Sequence, residues 1–251
     1  MLRRLLMLIN VFSPFWFMMF GIDAVLVVVL SIWLRKKPVD EKGRVMTIIG
    51  AANCAVWIIY KILLSTDPGY DFVLATELPF QLCNMNMILI LIAINTRKPG
   101  LLNFCFCFGI LGAILSLMSP DPAFVGITML SYRRFGYWVT HHLLIVSSIL
   151  IVSSGFYRPS YREVLKSIII LAVMYFCMFL INLLLRKITG LPVNYMYTFG
   201  MEGNPLIELL YKLIPVYPIY LVPALIILTP VLYGLVALGR LGKGCPDSVH
   251  S

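Results

Sequence analysis

Few side chains in this sequence can do chemistry, and the ones that can are unevenly placed. Cys83 lies in the run Glu77-Leu78-Pro79-Phe80-Gln81-Leu82-Cys83-Asn84-Met85-Asn86, while Asp23 and the pair His141-His142 interrupt long apolar stretches. A thiol with an imidazole in reach is equipped for nucleophilic acyl transfer, because the ring takes the thiol proton and nearby amides or N–H groups hold the oxyanion. Pro79 suits the first turn of a helix, and a helix N-terminus stabilises a thiolate. Cys83 is therefore the candidate nucleophile. Cys54, Cys105, Cys107 and Cys177 sit in plain apolar surroundings, and Cys245 lies outside them. No CxxC pair or Cys/His cluster has zinc spacing, so neither a metal nor a cofactor is expected.

The elements that must position these groups follow from composition. The 251 residues are 61 % hydrophobic and 12 % charged, with a mean hydropathy of +0.94. Soluble domains run near ~45–50 % apolar and ~25 % charged. A chain this apolar cannot cover a water-facing surface, which excludes a large soluble domain. Its continuous apolar runs argue against an outer-membrane barrel. The expectation is an all-α polytopic membrane bundle, one domain with seven transmembrane helices near 15–34, 45–64, 78–95, 101–118, 135–154, 164–185 and 217–238. Arg3 and Arg4 precede an apolar stretch as in a signal peptide, but no small-residue cleavage site follows, so the stretch reads as the first span.

The net charge of +9 would suggest nucleic acid in a soluble protein. Here the basic residues fall in short loops, where they set topology and meet anionic headgroups, so the expected partners are membrane lipids and not nucleic acid. Nothing in the sequence names a protein partner. Arg35, Lys36, Lys37, Lys42 and Arg44 crowd the first loop, and Asp67, Asp71 and Glu77 mark the second. The positive-inside rule then places the N-terminus outside a cell membrane and the tail 239–251 in the cytoplasm. In the long sixth loop, Asn204-Pro205 followed by Leu206-Ile207-Glu208-Leu209-Leu210 predicts a capped interfacial helix.

Ionisable groups inside spans are expensive and mark candidate sites. Lys61 lies near an outer end, can snorkel, and is assigned no function. Asp23, Cys83, Asn86 and His142 lie five to eight residues in from the outer ends of their spans. At ~1.5 Å per residue that is roughly 7–12 Å deep, a shared level that suggests one polar pocket. On a continuous helix Glu77, Gln81 and Asn84 share one face, and Cys83 and Asn86 another. The amides can equally be interhelical hydrogen-bonding groups. The wheel of the fifth span favours His141, in a stripe with Arg134, Tyr137 and Ser148, whereas His142 shares its side with Trp138. For Asp23 the candidate partners are His141, His142 or Lys61.

Glu77-Leu78-Pro79-Phe80-Gln81-Leu82-Cys83 resembles the Leu-Pro-Leu-His-Leu-Cys stretch of the YwaF-like bacterial integral membrane proteins. The resemblance continues through Ser119-Pro120-Asp121, Arg134-Phe135 leading to His142, Tyr157-Arg158-Pro159 and Asn194-Tyr195-Met196-Tyr197. It departs at Gln81 and Asp23, where the family has or is expected to have histidine. The resemblance implies seven spans and a distant similarity to eukaryotic transmembrane protein 164, regarded as a cysteine-dependent phospholipid acyltransferase. It implies Cys83 as the acyl-accepting nucleophile and His142 as its base, with His141 as second choice. Asp23, Gln81, Asn84, Asn86, Asn194 and Tyr195 are the expected substrate-binding residues. The competing expectation is a small solute-binding or transport protein in which Asp23 and a histidine carry protons. A transporter should show inverted repeats or broken helices, and neither is evident in the sequence.

Overall fold

Local signals start and stop the helices. Ser13 caps the first by accepting from the Trp16 N–H at 3.2 Å, with Pro14 opening it, so that α1 runs Pro14–Arg35. Asp40 and Glu41 occupy the first turn of α2, Val39–Ser65, where negative charge complements the helix dipole. The other helices are α3, Leu82–Thr96; α4, Pro99–Met118; α5, Tyr132–Ser153; α6, Tyr161–Thr189; α7, Pro205–Leu213; and α8, Val222–Leu241. Gly190, at φ +70°, ends α6 in a left-handed conformation that favours glycine. This computed structural model describes residues 11–120, 131–202 and 205–241, and no strand occurs among them. Arg3, Arg4, Asp121, Asn204, Cys245 and the side chain of Arg134 lie outside the described residues.

The chain is an all-helical, multi-pass membrane protein. Among the described residues, six helical segments are long and apolar enough to cross a bilayer: α1, α2, α4, α5 from Gly136, α6, and α8 with the turn before it. The third expected span, 78–95, is shorter in the structure: α3 has 15 residues, about 22 Å of rise where a bilayer core is ~30 Å thick. The interfacial helix is present as α7 from Pro205, and α8 begins at Val222, later than the expected 217.

Helix α5 lies at the centre, packed on α1, α2, α3 and α4. Helix α4 also meets α6, which carries α8. Trp138, Phe104, Leu34 and Met46 are among the side chains fully enclosed there, while Val25, Phe176 and Ile226 point outward from α1, α6 and α8. An apolar exterior around an apolar core is the pattern of helices solvated by lipid. Tight contacts fix the α2–α5 crossing: a Cβ on Gly136 would come 2.2–2.5 Å from the Tyr60 side chain. Gly136→Ala should cost about 1–3 kcal/mol of stability. Thermal unfolding in detergent measures it, and an unchanged midpoint would contradict this packing.

The two ends of the bundle differ chemically. At one end Arg35 Nε donates to Ser153 O at 2.9 Å, Arg240 Nη1 to Pro159 O at 3.1 Å, and Arg97 pairs with Asp40. At the other, Trp16 Nε1 donates to Leu117 O at 3.2 Å, Asp67 meets Tyr132 and Arg133, and Lys61 pairs with Glu77. Most loop lysines and arginines gather at the first end, and the candidate site lies toward the second. Hydrogen bonds from Arg133 and then Tyr132 hold the Asp67 carboxyl well below the usual carboxylate range. Its folded value is lowered, so its stabilisation is present above the unfolded value of 3.8 and is lost as pH falls. Acidification from about pH 5 downward should therefore destabilise the wild type more than Asp67→Asn, which paired melting curves would show.

Candidate functional site

The site is built where α3 begins, and it begins later than the sequence suggests. Proline disfavours helical geometry in the residue before it, so Leu78 cannot easily lead a helix through Pro79. The Leu78 N–H instead donates to the Tyr195 hydroxyl at 2.9 Å, and that hydroxyl donates to Ala75 O at 2.8 Å. Gln81 becomes the cap residue in extended backbone, Leu82 the first helical residue and Cys83 the second. The common face expected for Glu77, Gln81 and Asn84 therefore does not form. Pro79 precedes the helix and does not sit in its first turn. Glu77 turns to Lys61 in an ion pair and accepts from the Tyr70 hydroxyl at 2.6 Å. Lys61 thus has a specific partner and does not merely snorkel.

Cys83 is half-buried in the first turn of α3, with several groups on its sulfur. The Ser116 hydroxyl of α4 donates to it at 3.9 Å, and the Asn84 backbone N–H and the His141 ring also interact with it. His141 Nδ1 lies 2.7 Å from the Tyr137 carbonyl oxygen. A carbonyl can only accept, so Nδ1 carries the proton and Nε2 presents a lone pair. Nε2 completes no hydrogen bond of full geometry among the described residues, and the thiol is the reactive group beside the ring. The Tyr137 hydroxyl donates to Ser116 O at 2.8 Å, which ties α5 to the part of α4 that carries Ser116. The thiol can therefore pass its proton to a base, and the resulting thiolate is held by a hydroxyl, a backbone N–H and the field at a helix N-terminus.

His142 belongs to a second pair. Its Nδ1 lies 2.5 Å from Asp23 Oδ2, and both side chains are almost wholly enclosed. Phe20 meets the ring edge-on at 5.1 Å, and Trp138 stacks at 6.1 Å. The structure thus gives Asp23 to His142, with Lys61 paired elsewhere, and brings His141 to the thiol. Helical spacing separates adjacent histidines by 100°, so the two rings serve different neighbours. His142, the base that the resemblance implies, thus lies on Asp23, and His141, which the wheel favours, lies on the sulfur.

The remaining candidates divide. Asn86 is fully buried and both its amide atoms lack a described partner. Gln81 Oε1 accepts from the Met196 N–H at 3.1 Å. Asn194 donates to Gly200 O at 3.0 Å and to Glu202 at 2.9 Å and accepts from the Phe199 N–H at 2.8 Å, so its amide organises its own loop. Tyr195 holds the segment before α3 and is itself held by Asn182, which accepts from its N–H at 3.0 Å and donates to its carbonyl at 2.8 Å. Sequence reasoning missed Asn182, whose only signal is a lone amide in an apolar run. It also missed Ser116 as a neighbour of Cys83. Cys105 and Cys107 are buried in the apolar core, Cys54 contacts the Met87 carbonyl at 3.7 Å, and Cys177 is exposed on the lipid-facing side of α6. Among the described residues no group of three or more His, Cys, Asp or Glu could hold a metal ion.

Comparison with known proteins adds the family. No curated protein and no solved structure matches the chain. A family model, described as the TMEM164 family, matches residues 11–236. That range takes in Asp23, Cys83, Ser116, His141, His142, Asn182 and Tyr195, and so both histidine pairs and the loop that holds the segment before α3. The chain belongs to the TMEM164 family.

Proposed function

We propose that the protein is a membrane-embedded acyltransferase that moves a fatty acyl group from a phospholipid ester through a thioester on Cys83. The carrying observation is the half-buried thiol at the second position of α3 with His141, the Ser116 hydroxyl and the Asn84 N–H on it. His141 takes the thiol proton, and the sulfur attacks the ester carbonyl to form a C–S bond. The C–O bond then breaks, and the departing lyso-lipid oxygen takes the proton from His141. In the second half, His141 removes the proton of an acceptor hydroxyl. The new C–O bond forms, the C–S bond breaks, and the thiol is restored. The free N–H groups in the first turn of α3 would supply donors for the charge that gathers on the carbonyl oxygen. The motifs from Glu77 to Tyr197, which resemble those of the YwaF-like bacterial integral membrane proteins, support the reading.

The test is capture of the acyl-enzyme. Purified protein in nanodiscs is incubated with a phospholipid carrying an alkyne-tagged acyl chain, and label released by neutral hydroxylamine is measured. Label should appear on the wild type, persist in Cys105→Ala and Cys107→Ala, and vanish in Cys83→Ala. Absence of label from the wild type, or label that survives loss of Cys83, would overturn the reading. The same reading places the protein in the cell membrane with its N-terminus outside and its basic end in the cytoplasm. An impermeant thiol reagent on intact cells should then label Thr66→Cys and spare Lys36→Cys; the reverse pattern inverts the topology.

A further inference from the structure

The loop after α6 grips the start of α3. The hydroxyl of the buried Tyr195 accepts from the Leu78 N–H at 2.9 Å and donates to Ala75 O at 2.8 Å, and its ring meets Phe80 edge-on at 5.3 Å. One residue on, the Met196 N–H donates to Gln81 Oε1 at 3.1 Å. The grip thus falls at Ala75, Leu78, Phe80 and Gln81, along the segment that leads into the helix carrying Cys83. The loop is itself held from α6. Met196 and Tyr197 have φ of 54° and 57°, left-handed backbone that residues other than glycine rarely adopt and that persists only where its surroundings fix it. Asn182, fully buried, supplies that hold: it accepts from the Tyr195 N–H at 3.0 Å and donates to Tyr195 O at 2.8 Å and to Thr198 Oγ1 at 2.7 Å.

The grip has a chemical result at the start of α3. A residue in the capping position commonly spends its side chain on the N–H groups of the first turn. Gln81 occupies that position and makes no such bond, its amide oxygen being taken by the Met196 N–H. The first-turn N–H groups therefore stay uncapped, in the same turn as the Cys83 sulfur. Tyr195 has its hydroxyl and both backbone groups engaged inside the protein, which suits holding a helix start and not binding a substrate.

We propose that Tyr195 and Asn182 are positioning residues for Cys83: they fix the residue at which α3 starts and hold the Gln81 side chain off the first-turn N–H groups, which then serve the sulfur. Both act through the backbone of α3. The role rests on Cys83 being the nucleophile of the reaction above. A helix start left open in this way favours negative charge on the thiol and on a carbonyl oxygen bound beside it, whereas a capped start would spend the same donors on the protein itself.

The test reads thiol reactivity, with no acyl donor. Full-length protein in nanodiscs is treated with iodoacetamide at neutral pH, modification of Cys83 is followed by peptide mass spectrometry, and thermal unfolding is measured alongside. Tyr195→Phe keeps the ring on Phe80 and removes only the hydroxyl, and Asn182→Ala frees the loop. Each should slow alkylation about three- to tenfold, the range of a helix-terminus effect. Unchanged or faster alkylation in folded Tyr195→Phe overturns the inference. A second pair of variants decides even where Tyr195→Phe does not fold. Gln81→Ala and Gln81→Ser both lose the Met196 contact, but only serine can cap the first turn by accepting from the Asn84 N–H. Gln81→Ser should therefore melt higher than Gln81→Ala and yet react more slowly, because its hydroxyl takes a donor from the sulfur. A loop that serves stability alone would leave thiol reactivity equal in the two, and that result also overturns the inference. Alkylation needs no lipid substrate, so the positioning role can hold where no acyl-enzyme forms. An acyl-enzyme that forms on folded Tyr195→Phe at the wild-type rate would sink this inference and leave the acyl-transfer reading standing.

Discussion

Cys83→Ala is expected to abolish the proposed acyl transfer from phospholipid in reconstituted vesicles, and His141→Ala should lower its rate about 10²–10⁴-fold, the range for a lost general base. Cys83→Ser should also fall close to background, because a hydroxyl is far less acidic than a thiol and one imidazole without an orienting carboxylate activates it poorly. His141 is oriented by the Tyr137 carbonyl, which fixes the tautomer but supplies no negative charge to favour imidazolium. That arrangement suits a thiol, which parts with its proton readily. The discriminating measurement compares the two histidines. His141→Ala should slow iodoacetamide alkylation of Cys83 together with turnover, whereas His142→Ala should spare the alkylation rate in protein that remains folded. Equal loss of thiol reactivity in both variants would contradict the assignment of His141 to the sulfur.

Asp23→Ala should destabilise the protein by about 3–5 kcal/mol, the cost of removing one partner from a buried, hydrogen-bonded ionisable pair. The carboxylate and the His142 ring meet at 2.5 Å in a region closed to solvent, with Phe20 and Trp138 around the ring. Without Asp23, the Nδ1–H of His142 loses its acceptor, and Nε2 already lacks a described partner. Asp23→Asn should cost less, because an amide oxygen still accepts from Nδ1–H. Thermal or denaturant unfolding in detergent measures both. A Cys83 thiol still reactive in folded Asp23→Asn would show that the pair supports the bundle and does not tune the nucleophile.

The long apolar runs were legible because bilayer thickness imposes a length that few other folds require. The start of α3 was not, since Pro79 fits either the first turn of a helix or the residues before one. What decides between them is a hydrogen bond from Leu78 to Tyr195, 117 residues away. Depth along a helix is readable from sequence, and it placed Asp23 and His142 at one level. Direction around the axis is less readable: Asp23 had three possible partners until the packing of α1 on α5 was known. His141 emerged from the wheel because Tyr137 and Ser148 marked its face. Lys61 carries no signal of its true partner in the sequence, because a lysine near a span end can snorkel, and only the fold brings Glu77 back to it.

The shortness of α3 has a consequence for the surrounding bilayer. Ile88 and Ile92 are exposed on this helix, and Cys83 lies in its first turn against Ser116 of α4. Acyl chains beside it face about 22 Å of apolar helix in a hydrocarbon layer of ~30 Å, a mismatch that membranes relieve by local thinning. Lipids next to α3 would be drawn inward, ester groups first, toward the thiol. Turnover should accordingly depend on chain length in the host membrane, highest in thin bilayers and falling as the bilayer thickens.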